Sequence, residues 1–264
     1  MKNTIGIIGG GFVGSATAWG FGSTHEVKIY DVNPKVCQNT LEEVCKCDFV
    51  FICVPTPPNK KWQVDLSILE SVIYNCKKYV STKSKIVIKS TVPPGTCKRL
   101  SKTFGLEILS NPEFLTERRA KWDFLNAAQI LIGAEKKSSA ESLKNLYEQR
   151  FNSMKYTITD TVTSELIKYT LNSFFSTKVI FMNEIHDICN HVGGNWKQLI
   201  EGFTSDSRVS DSHTDVPGPD GKYGFGGKCF PKDLNGLKNF AKDLNIDTTL
   251  LDAVWKKNTK LRKN

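Results

Sequence analysis

The sequence predicts a doubly wound α/β sheet domain followed by an all-helical domain, and three observations lead there. Residues 4–8 form an apolar run that empties into a glycine turn, Gly9-Gly10-Gly11, after which residues 15–21 read as helix. Residues 48–54 and 85–89 are near-continuous apolar runs, as expected of strands covered on both faces, and a helical pattern over 65–79 separates them. From residue 161 the pattern becomes one long helix, which runs to 192 and stops at Gly193-Gly194 as a helix C-terminus should. The expected division is therefore an α/β domain over 1–160 and a helical domain over 161–264.

Composition narrows the classes of function. With 264 residues, 39% of them hydrophobic, the chain can bury a sizeable core. Its longest apolar run, residues 49–54, is far too short to cross a bilayer, and Met1-Lys2-Asn3 leads into a glycine turn rather than a cleavable apolar segment. A soluble, cytoplasmic protein with no membrane partner is expected. The eight cysteines show no disulfide-scaffold spacing, which suits a reducing compartment, and the four histidines show no paired-ligand spacing, so neither a metal nor a histidine base is assigned. The net charge of +9 is drawn in part from Lys256, Lys257, Lys260, Arg262 and Lys263 at the end of the last helix. No nucleic-acid recognition motif accompanies it, which leaves an anionic small molecule as the partner.

The elements follow in order. In Gly9-x-Gly11-x-x-Gly14 the three glycines suit a tight turn, a close approach by pyrophosphate and a helix–strand contact, and Phe12 and Val13 open the helix whose N-terminus faces the phosphates. The strand over 27–30 ends in Asp31, at the offset where a carboxylate binds the adenosine ribose and repels a 2′-phosphate. Together they predict a Rossmann-type domain and NAD in preference to NADP. The two apolar strands end in Val54-Pro55-Thr56-Pro57-Pro58 and Ser90-Thr91-Val92-Pro93-Pro94-Gly95-Thr96. These loops lie at the carboxyl edge of the sheet, so Val54, Thr56, Pro57, Ser90 and Thr91 are candidate cofactor contacts.

A short strand over 106–109 runs into Ser110-Asn111-Pro112-Glu113-Phe114-Leu115-Thr116-Glu117. Glu113 and Glu117 are expected to face one cleft, one or both as acid–base groups; a solvated helix face is the plainer alternative for that spacing. Strands over 129–133 and 154–158 complete the sheet around a polar helix over 138–150. On the long helix, Lys168 and Asn172 share a face in a run rich in Leu, Ile and Phe, where a lysine ordinarily reaches out to water. Residues 205–227 are rich in Ser, Asp, Gly and Pro, as functional loops are, and lead to Gly224-Phe225-Gly226-Gly227-Lys228-Cys229-Phe230-Pro231. The glycines let backbone approach a ligand, and Pro231 suits a first helical turn, whose N–H groups favour a thiolate or an oxyanion. Cys229 is thus either a reactive thiol or a buried structural one. Helices over 231–242 and 248–261 end the chain.

Taken together, Gly9-x-Gly11-x-x-Gly14, Ser90-Thr91-Val92-Pro93-Pro94-Gly95-Thr96, Asn111-Pro112-Glu113-Phe114-Leu115-x-Glu117, Lys168-x-x-x-Asn172 and Gly224-Phe225-Gly226-Gly227-x-Cys229-Phe230-Pro231-Lys232-Asp233 resemble the nucleotide-sugar 6-dehydrogenases. The Asn-Pro-Glu-Phe-Leu form is closest to the UDP-glucose branch. The resemblance implies four-electron oxidation of a UDP-sugar's C6 alcohol to a carboxylate, UDP-glucose to UDP-glucuronate, with two NAD+, through a thiohemiacetal and a thioester on Cys229. It implies that Lys168 steadies the alkoxide or oxyanion, that Asn172 shares that site, that Asp233 orients Lys168 and a water, and that Glu113 acts as base through water. Thr91 would stand at the catalytic end of the cofactor, with Glu117 a further cofactor contact. Substrate contacts would come from Glu113, Phe114, Leu115, Lys168, Asn172, Tyr223, Gly224, Phe225 and Gly226, and from Arg208 reaching across a homodimer. Two departures stand out. Arg118 replaces the family's usual glycine after Glu117, and this sequence stops where family members continue into a third, UDP-covering α/β domain. A two-electron dehydrogenase of a smaller sugar acid or phosphate, or a non-catalytic NAD-binding remnant, are the alternative expectations.

Overall fold

The structure, a computed structural model, describes residues 2–151 and 154–263. The chain forms two units, Met1–Pro57 with Val64–Lys168, and Pro58–Gln63 with Tyr169–Asn264. The division expected at 160/161 marks the start of the long helix, whereas the units part inside that helix, and a short stretch from the first half of the chain joins the second unit.

The first unit is built on strands β1 (Thr4–Ile8), β2 (Glu26–Tyr30), β3 (Phe49–Ile52), β4 (Lys85–Ile88), β5 (Ile108–Ser110), β6 (Ile130–Gly133) and β7 (Tyr156–Thr159), ordered β2-β1-β3-β4-β5-β6-β7. Strands β1 to β5 are parallel; β6 meets β5 antiparallel at Ser110 and Gly133, and β7 runs parallel to β6. The chain leaves β1 for β2 on one side and returns to β3 on the other. The carboxyl ends of β1 and β3 therefore flank a topological switch point, where such sheets bind ligands.

Within β3, Phe49 and Phe51 join one buried cluster with Phe21, Phe124, Leu143 and Tyr147, while Val50 and Ile52 join another with Leu69, Ile73, Cys97 and Leu100. The first cluster draws on α1 (Phe12–Phe21), α5 (Ala120–Leu125) and α6 (Lys137–Glu148). The second draws on α2 (Leu41–Cys45), α3 (Ser67–Cys76) and α4 (Thr96–Phe104). Covering both faces removes any reason for polar alternation, so the strand reads as one apolar run. Helix α3 starts two residues later than the pattern over 65–79, where Asp65 Oδ1 accepts from Ser67 N at 2.9 Å ahead of the first turn, and it ends at Cys76. Helix α7 (Thr161–His191) starts in this unit, where the buried Glu165 carboxylate takes the N–H groups of Gly95 at 2.5 Å and Cys97 at 2.7 Å at the start of α4.

The second unit holds the rest of α7, then α8 (Trp196–Thr204), α9 (Cys229–Asp243) and α10 (Thr249–Leu261). Its small core is Ile180, Phe225, Leu234 and Val254, with Phe230 and Trp255 packed against it. The stretch Pro58–Gln63 is held there by the Trp62 and Trp255 rings, 5.2 Å apart, and by Asn239 Nδ2 donating to Lys61 O at 2.9 Å. Phe174, Phe181 and Ile188 lie at heptad spacing on α7 with exposed side chains. No helix among the described residues is long and apolar enough to cross a membrane.

Candidate functional site

At the β1 carboxyl end, each glycine of the turn has a different physical reason. Gly9 has φ +95°, and a Cβ there would lie 2.8 Å from Cys53 O; a Cβ on Gly14 would meet Gly9 O, whereas one on Gly11 would meet nothing within 4 Å. Gly9 and Gly14 are demanded by the protein itself. Gly11 leaves an open face at the N-terminus of α1, where Phe12 and Val13 begin the helix and no side chain caps it, so a pyrophosphate fits. Asp31 Oδ2 accepts from Gly10 N at 2.6 Å, which ties the end of β2 to the turn. Thr56 Oγ1 donates to Thr91 O at 2.7 Å and Ser90 Oγ to Val54 O at 2.6 Å, so the loops after β3 and β4 are joined at the same edge. Pro57 is exposed and ends the first stretch of this unit.

Lys168 departs from the expected reach to water. Its side chain is buried, Nζ donates to Glu113 O at 2.5 Å and stands 3.5 Å from Glu113 Oε1, and it lies 5.1 Å from the centre of the Phe114 ring. Glu113 Oε2 also accepts from Leu115 N at 2.5 Å, which closes the turn on which Phe114 and Leu115 are half-buried. Glu117, by contrast, is exposed in the 3-10 turn Glu117–Arg119, together with Arg118. The two carboxylates therefore sit in unlike surroundings, and no helix joins them: residues 111–116 turn back through the Glu113 side chain instead.

In the second unit α9 begins at Cys229, two residues before the expected start, which puts the half-buried cysteine in the first turn. One turn on, Asp233 is buried; its Oδ2 accepts from Asn172 Nδ2 at 2.5 Å and its Oδ1 from Lys232 Nζ at 2.5 Å. Cys229 and Asp233 share a face of α9 at i and i+4, and Asn172 holds that face by its amide. Gly224 and Gly226 were expected to admit a ligand, but a Cβ on Gly224 would lie 2.5 Å from Asn258 Oδ1 and one on Gly226 3.0 Å from Arg262 Cζ. Gly224, at φ +69°, is favoured by its backbone as well as by the closeness of Asn258, while Gly226 faces the movable end of the Arg262 side chain; Gly227, at φ +74°, has open space. Tyr223 is exposed near the His186 ring, and the exposed Arg208 folds back on Asp206, with Nη2 to Oδ2 at 2.5 Å.

Residues 35–151 match the NAD-binding domain of the UDP-glucose/GDP-mannose dehydrogenase family, and residues 162–260 match its central domain. The chain belongs to that family. Among curated relatives, a UDP-glucose 6-dehydrogenase of Rickettsia conorii is 41% identical over 221 residues, which cover 82% of this chain and 50% of that protein. One of Bacillus subtilis is 33% identical over 223 residues, 81% of this chain and 49% of that protein. The chain thus spans about half the length of the curated relatives it matches. A solved UDP-glucose dehydrogenase of Pyrobaculum islandicum superposes with a TM-score of 0.90 at 27% identity, over 98% of this chain and 68% of that one.

One group in this family member was not singled out from sequence. Lys89, at the end of β4, is buried, and its Nζ donates to Asn111 Oδ1 at 2.9 Å, Asn111 O at 3.3 Å and the Tyr147 hydroxyl at 3.3 Å. Tyr147 OH donates in turn to Asn111 Oδ1 at 2.6 Å, and Asn111 Nδ2 to Leu131 O at 2.7 Å. This network pins the first residue of the turn that carries Glu113. Burial pushes the Lys89 ammonium down to about 8 from 10.5, while Cys53 and Glu113 oppose that fall and Lys168 adds to it. Between those two values the unfolded chain holds a proton that the folded chain has lost, so stability rises with pH there. Urea unfolding at pH 8.5 and 9.5 should show wild type gaining up to about 1.4 kcal/mol per pH unit relative to Lys89→Met. Parallel curves for the two proteins would refute this charge state.

Proposed function

We propose that the chain carries the NAD-dependent oxidation of a UDP-sugar's C6 alcohol to a carboxylate, with UDP-glucose as substrate and Cys229 as nucleophile. The observation that carries this reading is the buried Asn172–Asp233 pair one turn from Cys229, which commits a carboxylate and an amide to a face that also bears a thiol in the first turn of α9. NAD+, when bound, supplies the oxidant for each of two two-electron steps. Lys168, already within hydrogen-bond reach of the Glu113 turn, stabilises the alkoxide formed as the substrate hydroxyl gives its proton to water. The alkoxide carbon gives up a hydride to become an aldehyde; the Cys229 thiolate adds to that carbon, and the thiohemiacetal anion so formed, on losing a second hydride, becomes a thioester. Glu113 takes a proton from the water that attacks this thioester; the C–S bond breaks, and the thiolate and the acid are released. Asp233 holds Asn172 and the attacking water in place. Gly9, Gly11, Phe12, Val13, Gly14, Asp31, Val54, Thr56, Pro57, Ser90, Thr91 and Glu117 make the cofactor side.

The second proposal is a homodimer, supported by the exposed Phe174, Phe181 and Ile188 on α7 and by Arg208, whose exposed ion pair with Asp206 is weak enough to exchange for a partner's substrate. Incubation with NAD+ and UDP-glucose should yield two NADH for each UDP-glucuronate. One NADH per product, with aldehyde released, would replace the four-electron reading by the two-electron one. Sedimentation equilibrium that gives monomer alone at micromolar concentration would remove the dimer.

A further inference from the structure

We propose that Asn258 of α10 and Arg262 at its C-terminal cap, with Asn183 of α7, are positioning residues that hold the loop over 224–227 in the form that receives substrate and presents Cys229. This rests on the function proposed above for what the loop binds, but its structural basis is separate. The backbone polar groups of a loop must find partners, and here three of them are met by side chains distant in sequence. Asn183 Oδ1 accepts from Gly224 N at 3.0 Å, Asn258 Oδ1 accepts from Phe225 N at 2.8 Å, and Arg262 Nη2 donates to Gly224 O at 2.8 Å. Asn183 is itself fixed by its Nδ2 donating to Val179 O at 2.7 Å, and Arg262 by Nη1 on Asp220 Oδ2 at 2.6 Å. Asn183 and Asn258 are buried, where an amide left without its partner is costly.

The contacts also explain residue choice. The Arg262 guanidinium lies against Gly226, 3.0 Å from where a Cβ would be, and Asn258 Oδ1 lies 2.5 Å from that point on Gly224. The side chains from α10 thus occupy the space on one side of the loop, and the open Gly227 leads within two residues to Cys229. With Phe225 buried in the core of the unit, the loop has one anchor of apolar contact and three of hydrogen bonding.

The test uses Arg262→Gln and Asn258→Ala in the full chain, with deuterium exchange of the 220–230 peptide, KM for UDP-glucose and for NAD+, and the rate at which iodoacetamide alkylates Cys229. Loss of these bonds should speed exchange of the Gly224 and Phe225 amides and raise KM for UDP-glucose about tenfold, with KM for NAD+ unchanged. Arg262→Lys, which retains the cation beside Asp220, should recover part of the loss. A UDP-glucose KM that stays within about twofold of wild type in both variants, or a parallel rise for NAD+, would overturn the proposal. If wild type does not turn over UDP-glucose, the function proposed above fails, and Cys229 alkylation decides this inference alone: a changed rate in the variants supports it and an unchanged one overturns it. Should Asn258→Ala fail to fold, Arg262→Gln carries the same readouts.

Discussion

Cys229→Ser is expected to lower acid formation by orders of magnitude, the largest effect of any single change. A serine hydroxyl at neutral pH is almost wholly protonated, and an alkoxide is a far poorer leaving group than a thiolate, so neither the covalent capture of the aldehyde nor its later release proceeds at a useful rate. The position in the first turn of α9 sharpens this, because the positive end of a helix dipole favours an anion there and does much less for a neutral hydroxyl. The first oxidation forms no bond to sulfur, so slow NADH production with free aldehyde is the trace expected to remain. Chromatographic recovery of UDP-glucuronate from the variant at the wild-type yield would end the case for a covalent mechanism.

Lys168→Met should reduce turnover roughly 10²–10³-fold, the range found when one preorganised donor to a developing oxyanion is removed. It should also weaken the fold. The ammonium and the Glu113 carboxylate have side-chain exposures of 5% and 8%, so the variant leaves a buried carboxylate without its cation. Breaking such a pair costs about 3 kcal/mol or more, and the 3.5 Å separation puts this one at the lower end. Urea unfolding and kcat measured on the same preparation separate the two effects: a wild-type kcat would exclude the oxyanion role, and an unchanged midpoint would exclude the structural one.

What could be read in the sequence follows from how local its causes are. Gly9, Gly11 and Gly14 answer to a turn and a helix a few residues away, and β3 and β4 declare themselves because both of their faces are covered. Lys168 was harder: whether a lysine on an apolar face reaches water or is buried depends on Glu113, far upstream, and nothing in the helix itself records it. Lys89 escaped notice for the same reason, since its acceptors Asn111 and Tyr147 come from the turn after β5 and from α6, although a lysine just after an apolar run was a visible signal. Gly224 and Gly226 have neighbours that lie later in the chain. Their number and spacing suggest a close approach by a ligand, while the side chains that lie against them, Asn258 and Arg262, come more than thirty residues later.

The stretch Pro58–Gln63 makes the second unit discontinuous in the gene, although it is continuous in space. Any attempt to express that unit by cutting the reading frame at one point, for instance from residue 169 onward, discards the indole of Trp62 that lies against Trp255 and the Lys61 carbonyl that receives Asn239. Such a fragment would begin life with an uncovered tryptophan and an amide without its acceptor, and its poor behaviour would say nothing about the intact protein. A permuted gene, in which codons 58–63 are joined by a flexible linker ahead of codon 169, respects the boundary that the polypeptide itself observes.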